Sequence, residues 1–140
     1  MIPLCRELDN GLGNLLRDLQ ASGLLSSTLV VWLGEFGRTT GPLNDGHGRD
    51  HHLQQFAGFA GGGVRGGRAI GSTDDLGEDI ADFGWSGNQP IHFEHIASTI
   101  YSALGIDYTK KLTDDPIGRG FEYVPDAVHG SYAPIVDLFR

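Results

Sequence analysis

The stretch that decides the fold reads Thr28-Leu-Val-Val-Trp-Leu33, and it stops abruptly at Gly34-Glu-Phe-Gly-Arg-Thr39. Its first six residues are β-prone and apolar on both faces, which is typical of a strand buried in a largely parallel sheet. We therefore predict a strand over Thr28–Leu33 that ends at the carboxylate of Glu35. Such strand ends often carry functional groups, because the sheet holds the adjoining side chains rigidly.

A polar loop follows this strand and runs from Gly34 to Gln54. Loops of this length inside a compact domain are usually functional or mobile. Carboxylate and imidazole groups are suited to Zn, Mn, Mg or Ca, and guanidinium groups present a planar fork of donors to phosphate or sulfate. Together with Glu35, these groups indicate metal-assisted hydrolysis of a charged ester. The loop residues in question are Arg38, Asp45, His47, Arg49, Asp50, His51 and His52.

Ordinary loop chemistry is the alternative interpretation of the same residues. Asn44-Asp45-Gly46 is common turn sequence, and Glu35 is also able to cap a helix or to pair with Arg38. Two histidines outside the loop, His92 and His95, lie at or near the start of a predicted helix. We expect a surface or packing role for those two histidines rather than metal ligation.

Two helices are predicted from leucine-rich and apolar residues at helical spacing. The first covers Leu4–Ser22, and Gly23 fits a left-handed C-terminal cap. The second covers His92–Leu104 and ends at Gly105. The apolar stripe of the first helix is Leu4, Leu8, Leu12, Leu15, Leu16 and Leu19, and that of the second is Phe93, Ile96, Ala97, Ile100 and Leu104.

Shorter elements fill the rest of the chain. We predict a weaker strand over Gln55–Ala60, a tight hairpin turn at Gly61–Gly67 and a returning strand over Gly67–Ser72. The glycine-rich turn lacks the Lys-Ser/Thr ending of a P-loop, so a phosphate loop is disfavoured there. Thr73–Asn88 is acidic and irregular, and Ile106–Arg140 is rich in turns.

The set of elements is small for an α/β domain. The chain has 140 residues, which suffices for one domain with a modest core. Two long helices and three or four strands are nevertheless fewer than a complete doubly wound domain carries. Residues 1–140 therefore form either a single domain or the C-terminal segment of a larger α/β fold.

Composition excludes several classes of partner and site. The net charge of -8 argues against nucleic acid as the main partner, although it also serves solubility alone. The single cysteine, Cys5, permits no internal disulfide, and its apolar helical setting predicts a buried, inert thiol. Without a membrane-length apolar run or a signal-peptide pattern, this chain by itself predicts a cytoplasmic protein.

Several segments taken together match a known pattern. They are Thr28-Leu-Val-Val-Trp-Leu-Gly-Glu-Phe-Gly-Arg-Thr39, Gly48-Arg-Asp-His51, Ala60-Gly-Gly-Gly-Val-Arg-Gly-Gly67 and Ile70-Gly-Ser-Thr-Asp74. Ala97-Ser-Thr-Ile-Tyr-Ser-Ala-Leu-Gly-Ile-Asp107 and Gly118-Arg119 extend the match over nearly the whole chain. With these segments the sequence resembles the family called domain of unknown function 1501, which is similar to the alkaline phosphatase and sulfatase superfamily.

The resemblance implies the C-terminal part of an alkaline-phosphatase-like α/β/α sandwich, with a central, mostly parallel sheet and a metal site at the strand ends. It implies that Glu35 and His51 bind a divalent metal ion (Zn, Ca, Mg or Mn), while Arg38, Arg49 and Asp50 contact or orient the substrate. Phe36 departs from the superfamily pattern, in which a histidine often follows the acid. The superfamily's nucleophile and further acidic ligands lie in an N-terminal half that has no counterpart here.

Two functions follow from these expectations. The first is the C-terminal portion of a metal-dependent phosphatase or sulfatase-like hydrolase, inactive without its N-terminal half and acting on a small anionic ester. The second is a non-catalytic binding or structural module that retains the superfamily fold. No nucleic acid or membrane partner is expected, whereas an exposed sheet edge would favour a homo-oligomer. Export of a longer parent protein would make it periplasmic or secreted.

Overall fold

The computed structural model describes residues 2–140, and both helices and strands are present, as predicted. Three short 3-10 turns accompany them at Leu25–Ser27, Ala127–His129 and Val136–Phe139. The helices and strands are α1 (Ile2–Ala21), β1 (Leu29–Leu33), β2 (Gly37–Arg38), β3 (His51–His52), β4 (Ala57–Gly61), β5 (Ser72–Thr73), β6 (Ile80–Asp82), α2 (Phe93–Ala103), β7 (Lys111–Leu112) and β8 (Phe121–Glu122).

All strand pairs over residues 2–140 are antiparallel, and they form four two-stranded sheets: β1·β4, β2·β3, β5·β6 and β7·β8. The predicted central, mostly parallel sheet is not formed by these residues. The reason lies in the connection after β1, because the chain turns back on itself through β2 and β3. A parallel neighbour would need a crossover connection, usually a helix, instead.

The region from β1 to β4 is one long, interrupted hairpin. Leu29 pairs with Gly61 and Leu33 with Ala57 in the inner sheet, and Arg38 pairs with His51 further out. Residues 34–36 separate the two sheets on the outgoing limb, whereas residues 53–56 separate them on the return. The return limb therefore carries one residue more, as in a bulge. The predicted 34–54 loop is thus a partly paired hairpin end.

Two glycines allow the limbs of this hairpin to approach each other. A Cβ at Gly37 would lie 1.7 Å from the main-chain oxygen of Gln54, so only glycine fits opposite that residue. A Cβ at Gly58 would lie 2.1 Å from the indole ring of Trp32, its partner in β1. The Trp32 ring therefore covers Gly58 directly.

The segment after β4 differs from the predicted hairpin. Gly61, Gly62 and Gly63 all have positive φ, and the Arg65 N–H donates to the Leu138 oxygen at 2.8 Å. These glycines thus turn the chain toward its C-terminal residues rather than into a returning strand. Of the predicted strand Gly67–Ser72, only Ser72 is extended, and β5 pairs with β6 inside the segment expected to be irregular.

Helix α1 is confirmed, and it ends as predicted at a left-handed Gly23. Half of its apolar stripe is exposed, including Leu4 (68%) and Leu8 (59%), and the other three leucines are half-buried. Cys5 is exposed as well. The prediction of a buried thiol is therefore wrong for the described residues, because none of them covers this part of the helix. No helix within residues 2–140 combines the length and the apolar character needed to cross a membrane.

Helix α2 is also confirmed, but it buries the face opposite to its apolar stripe. His95, Ser98 and Thr99 are fully buried, whereas Phe93 and Leu104 of the predicted stripe are exposed. At 100° per residue the two sets lie on opposite sides of the helix. The buried side faces the C-terminal segment, where Ser98 and Thr99 bind main-chain groups of Tyr132 and Ile135. The buried apolar residues of the described chain are Trp85, Val124, Ala127 and Ile135.

The Trp32–Gly58 contact yields a stability prediction. Gly58→Ala places a methyl group in space that the Trp32 indole ring occupies, so the ring has to move. We therefore expect the free energy of unfolding to fall by about 1–3 kcal/mol and the fluorescence of Trp32 to change. Gly66→Ala is the control, because a Cβ there meets nothing within 4 Å. Equal stability of the two variants in urea denaturation would contradict the contact.

Candidate functional site

The candidate metal ligands lie on the two limbs of the long hairpin. Glu35 is exposed and follows β1, and His51 is exposed and opens β3. The ring of Phe36, the residue after Glu35, stacks on the His51 imidazole with centroids 3.8 Å apart and planes tilted by 30°. The hairpin thus brings the predicted carboxylate and imidazole to the same region of the chain. Phe36, where a histidine was expected, serves as the surface on which His51 rests.

The two arginines predicted to contact substrate donate to main-chain oxygens instead. Arg49 Nη1 donates to the Thr39 oxygen at 2.7 Å and to the Gly41 oxygen at 2.8 Å. Arg38 Nη1 donates to the Arg49 oxygen at 3.0 Å, and its guanidinium lies 4.8 Å from the centre of the Phe36 ring. Both side chains therefore hold the hairpin end together, which leaves their other nitrogens for further contacts.

Asp50 is held in place from two directions. Its Oδ1 accepts a hydrogen bond from Asn44 Nδ2 at 2.8 Å, and its N–H donates to Thr39 Oγ1 at 3.2 Å. Asn44 also closes the loop, because its Oδ1 accepts from the N–H groups of Gly46 at 3.1 Å and Gly48 at 2.9 Å. One amide side chain thus sets both the shape of the loop and the position of the Asp50 carboxylate.

The β5–β6 hairpin forms a wall beside this loop. His52 Nε2 lies 3.2 Å from the main-chain oxygens of both Gly77 and Glu78, so its ring N–H points to them. The Thr40 hydroxyl donates to the Leu76 oxygen. Between loop and wall lies a shallow, open groove of about 450 Å³, lined by Thr39, Thr40, Gly41, Pro42, Asn44, Asp50, His52 and Glu78.

The donors for a metal ion are incomplete over residues 2–140, where no three His, Cys, Asp or Glu side chains stand close enough to hold one. Glu35 and His51 offer a carboxylate and an imidazole, which fit a divalent ion such as Zn or Mn. Gln54 Oε1, on the return limb opposite residues 34–36, is buried without a hydrogen-bond partner in the described chain. A buried oxygen of this kind fits a cation or a donor group from outside these residues.

Sequence reasoning missed Asn44 and the side-chain role of His52. Asn44 was interpreted as ordinary turn sequence, which is correct for its bonds to Gly46 and Gly48 but omits Asp50. The sequence signal for the Asn44–Asp50 hydrogen bond was weak, because it consisted of a turn-forming residue six positions before a candidate carboxylate. The contact of His52 with Gly77 joins segments far apart in sequence, so no local sequence pattern predicts it. His95, expected on the surface or in packing, is a fully buried packing residue.

The position of Asn44 makes a testable prediction. Asn44→Ala removes three hydrogen bonds, so we expect about 1 kcal/mol of destabilisation and faster amide hydrogen exchange at Gly46 and Gly48. Asn44→Asp keeps the two acceptor bonds to the glycines and loses the donor to Asp50. Exchange at both glycines should therefore stay slow in this second variant. Asp45→Ala is the matched control. Unchanged exchange at Gly48 in Asn44→Ala would contradict the assignment.

Comparison with known proteins supports the family part of the resemblance drawn from the sequence. The sequence model of the family described as protein of unknown function (DUF1501) matches residues 2–130. The searches of curated proteins and of solved structures found no match. Because the family match spans nearly all of the chain, including the β1–β4 hairpin and α2, the protein belongs to the DUF1501 family.

Proposed function

We propose that this chain is the C-terminal portion of a metal-dependent hydrolase of phosphate or sulfate esters, related to alkaline phosphatases and sulfatases. The proposal rests on the way the long hairpin places the Glu35 limb beside the His51 limb. Its register sets Arg38 opposite His51, and Phe36 stacks on the His51 ring beside Glu35. Carboxylate and imidazole on neighbouring limbs are two donors of a divalent metal site.

The roles of the remaining groups follow from their contacts. A divalent ion bound by Glu35 and His51 would polarise an ester oxygen or activate a nucleophile. Asp50, held by Asn44 at 2.8 Å, orients groups next to His51. Arg38 and Arg49 keep the limbs in register and direct their remaining guanidinium nitrogens to the anionic ester.

The uncovered apolar surfaces support a larger parent fold. Three leucines of the α1 stripe are exposed, as are Phe93 and Leu104 of the α2 stripe and Leu33 in β1. Such surfaces normally pack on another layer of a domain. We propose that in the parent protein they face further strands and helices, giving the α/β/α sandwich with a mostly parallel sheet. The nucleophile and the remaining ligands would come from that part.

A second candidate is a non-catalytic binding or structural module with the same fold. It is favoured by the bonds of Arg49 to two carbonyl oxygens, which reduce its availability to an anion. The groove beside the loop includes the carboxylates of Asp50 and Glu78 together with hydroxyl, amide and apolar groups, a lining that suits a neutral polar partner or a polysaccharide better than an anion. Binding of metal by Glu35 and His51 distinguishes the hydrolase from this module.

The metal site is tested by titrating the purified chain with Zn²⁺ in a calorimeter. We expect one bound ion in the unmodified chain and an affinity lower by at least about tenfold in both Glu35→Ala and His51→Ala, because each variant removes one donor. Glu7→Ala and His129→Ala are matched controls for charge and residue type.

An equal loss in the control variants would mean non-specific binding and contradict the proposal. If the isolated chain binds too weakly to titrate, the same variants are measured in the whole parent protein. Unchanged metal content of Glu35→Ala and His51→Ala there would also contradict it.

The incompleteness of the site makes an independent prediction. With Zn²⁺, Mn²⁺, Mg²⁺ or Ca²⁺ added, the isolated chain should hydrolyse neither 4-nitrophenyl phosphate nor 4-nitrophenyl sulfate above the buffer rate, because nucleophile and further ligands are missing. Turnover that disappears in Glu35→Ala would show instead that these 140 residues suffice for catalysis.

A further inference from the structure

The first turn of helix α2 contains a histidine, His95, that no part of the proposed reaction uses. His95 is 0% exposed and lies in the first turn of the helix, where most helices place polar groups in contact with water. A buried imidazole is stable as the neutral base, since charging it away from water is costly. Because His95 is buried against Trp85 of the small core, a change in its protonation acts directly on that core.

Both ring nitrogens of His95 are engaged. The main-chain N–H of His92 donates to His95 Nδ1 at 2.9 Å, so Nδ1 carries no proton. The ring proton then lies on Nε2, 3.2 Å from the terminal side-chain amide of Gln89. To accept this proton, the amide has to present its oxygen, Oε1, rather than its NH2 group to the ring. A second proton has to enter at Nδ1, where it would point at the N–H of His92. Protonation and the existing hydrogen bond are therefore incompatible.

The same imidazole is the contact point of three segments. Its ring meets the Trp85 indole edge-on at 5.1 Å and the Tyr132 ring edge-on at 5.2 Å between centroids. The indole N–H of Trp85 donates to the main-chain oxygen of Gln89 at 2.7 Å, which fixes the loop before α2. The loop 85–92 and the C-terminal segment around Tyr132 thus meet across His95.

The next turn of α2 fastens the C-terminal segment through buried hydroxyl groups. Ser98 Oγ donates to the Tyr132 oxygen at 2.6 Å, and the Ile135 N–H donates to Thr99 Oγ1 at 2.9 Å. Thr99 Oγ1 in turn donates to the His95 oxygen at 2.6 Å. Any displacement of His95 is therefore transmitted to the bonds that hold residues 132–135.

The charged and titratable neighbours of His95 are few. On α2 they are His92, whose ring stacks at 5.8 Å, and Glu94. From the C-terminal segment Tyr132 contacts the ring directly, while Asp137 binds Ser86 next to Trp85 and lies near Arg140. The loop 85–92 supplies Trp85 and the neutral amide of Gln89. Glu94 favours an imidazolium, but burial and His92 oppose it more strongly.

We propose that His95 is an acid-sensitive latch: uptake of a proton by its imidazole breaks the bond to the His92 N–H and releases loop 85–92 and the C-terminal segment from α2. The opened state would expose Trp85 and free residues 132–135 while α1 and the long hairpin remain folded. The latch is independent of the metal site, because none of its groups lies in the hairpin.

The direction of the pH dependence follows from the burial. Loss of solvent lowers the pKa of the His95 imidazole below the ordinary value of 6.5, and the charge on His92 lowers it further. The opened state, with an ordinary pKa, binds the proton more readily than the closed state. Closure is therefore fully stable above pH 6.5 and is progressively weakened as the pH falls from 6.5 toward the lowered pKa of the closed state.

The test follows Trp85 fluorescence in a Trp32→Phe background, which leaves one tryptophan. Between pH 8 and pH 5 we expect a red shift of the emission whose midpoint lies below pH 6.5, with an unchanged helical signal from α1. The opening constant of the Ile135 amide, from hydrogen exchange corrected for the intrinsic rate, should stay constant above pH 6.5 and rise about tenfold for each unit by which the pH then falls.

His95→Gln is the matched variant, because glutamine at this helix position can still accept the N–H of residue 92 but takes up no proton. The red shift should disappear in His95→Gln and persist in His92→Gln. A red shift that persists in His95→Gln, or is lost only in His92→Gln, would overturn the proposal.

A measurement on the unmodified chain covers the case in which His95→Gln fails to fold. Ring ¹⁵N shifts should report the Nε2–H tautomer of His95 at pH 7.5. They should change to the imidazolium only together with Trp85 emission and Ile135 exchange. A His95 imidazolium inside a chain whose Trp85 and Ile135 signals stay unchanged would overturn the latch.

Discussion

The antiparallel pairing of β1 with β4 is the constraint on which the candidate site depends. It sends the chain back along its own path, so that Glu35 leaves one limb where the other limb returns from His51. Gly58 makes this pairing possible because it leaves room for the Trp32 indole ring, and Gly37 in β2 leaves room for the main-chain oxygen of Gln54 further out. Backbone pairing, rather than attraction between the functional side chains, places Glu35 and His51 on adjoining limbs of the hairpin.

The chain divides its contacts unevenly between its two helices. Helix α2 is anchored through a polar face, where Ser98 and Thr99 bind main-chain groups of the C-terminal segment. Phe93 and Leu104, at the two ends of its apolar stripe, are exposed. Helix α1 contacts the short turn Leu25–Ser27 and leaves three of its six leucines exposed. The exposed residues of both stripes are therefore available for a further layer, as the proposed parent fold requires, while the buried polar groups of α2 hold the C-terminal segment.

Sequence patterns predicted what depends on local periodicity. Both helices, β1 and the left-handed Gly23 follow from residue spacing and turn chemistry within one element. The pairing partner of β1 does not, because an apolar strand is equally consistent with parallel and antiparallel neighbours. The buried face of α2 was also missed, since its polar side chains are buried by partners some 35 positions away, such as Ile135. The pairing of Asn44 with Asp50 was likewise hidden in a turn motif.

The claim that the long hairpin forms half of a metal site is tested most directly by NMR of the chain in the presence of paramagnetic Mn²⁺. The account predicts that signal broadening centres on the amides of Glu35 and His51 and reaches neighbours such as Arg38 across the hairpin. It predicts little broadening at the acidic β5–β6 turn, whose carboxylates could attract Mn²⁺ by charge alone. Broadening centred on Asp74–Asp79, with Glu35 and His51 unaffected, would contradict the account.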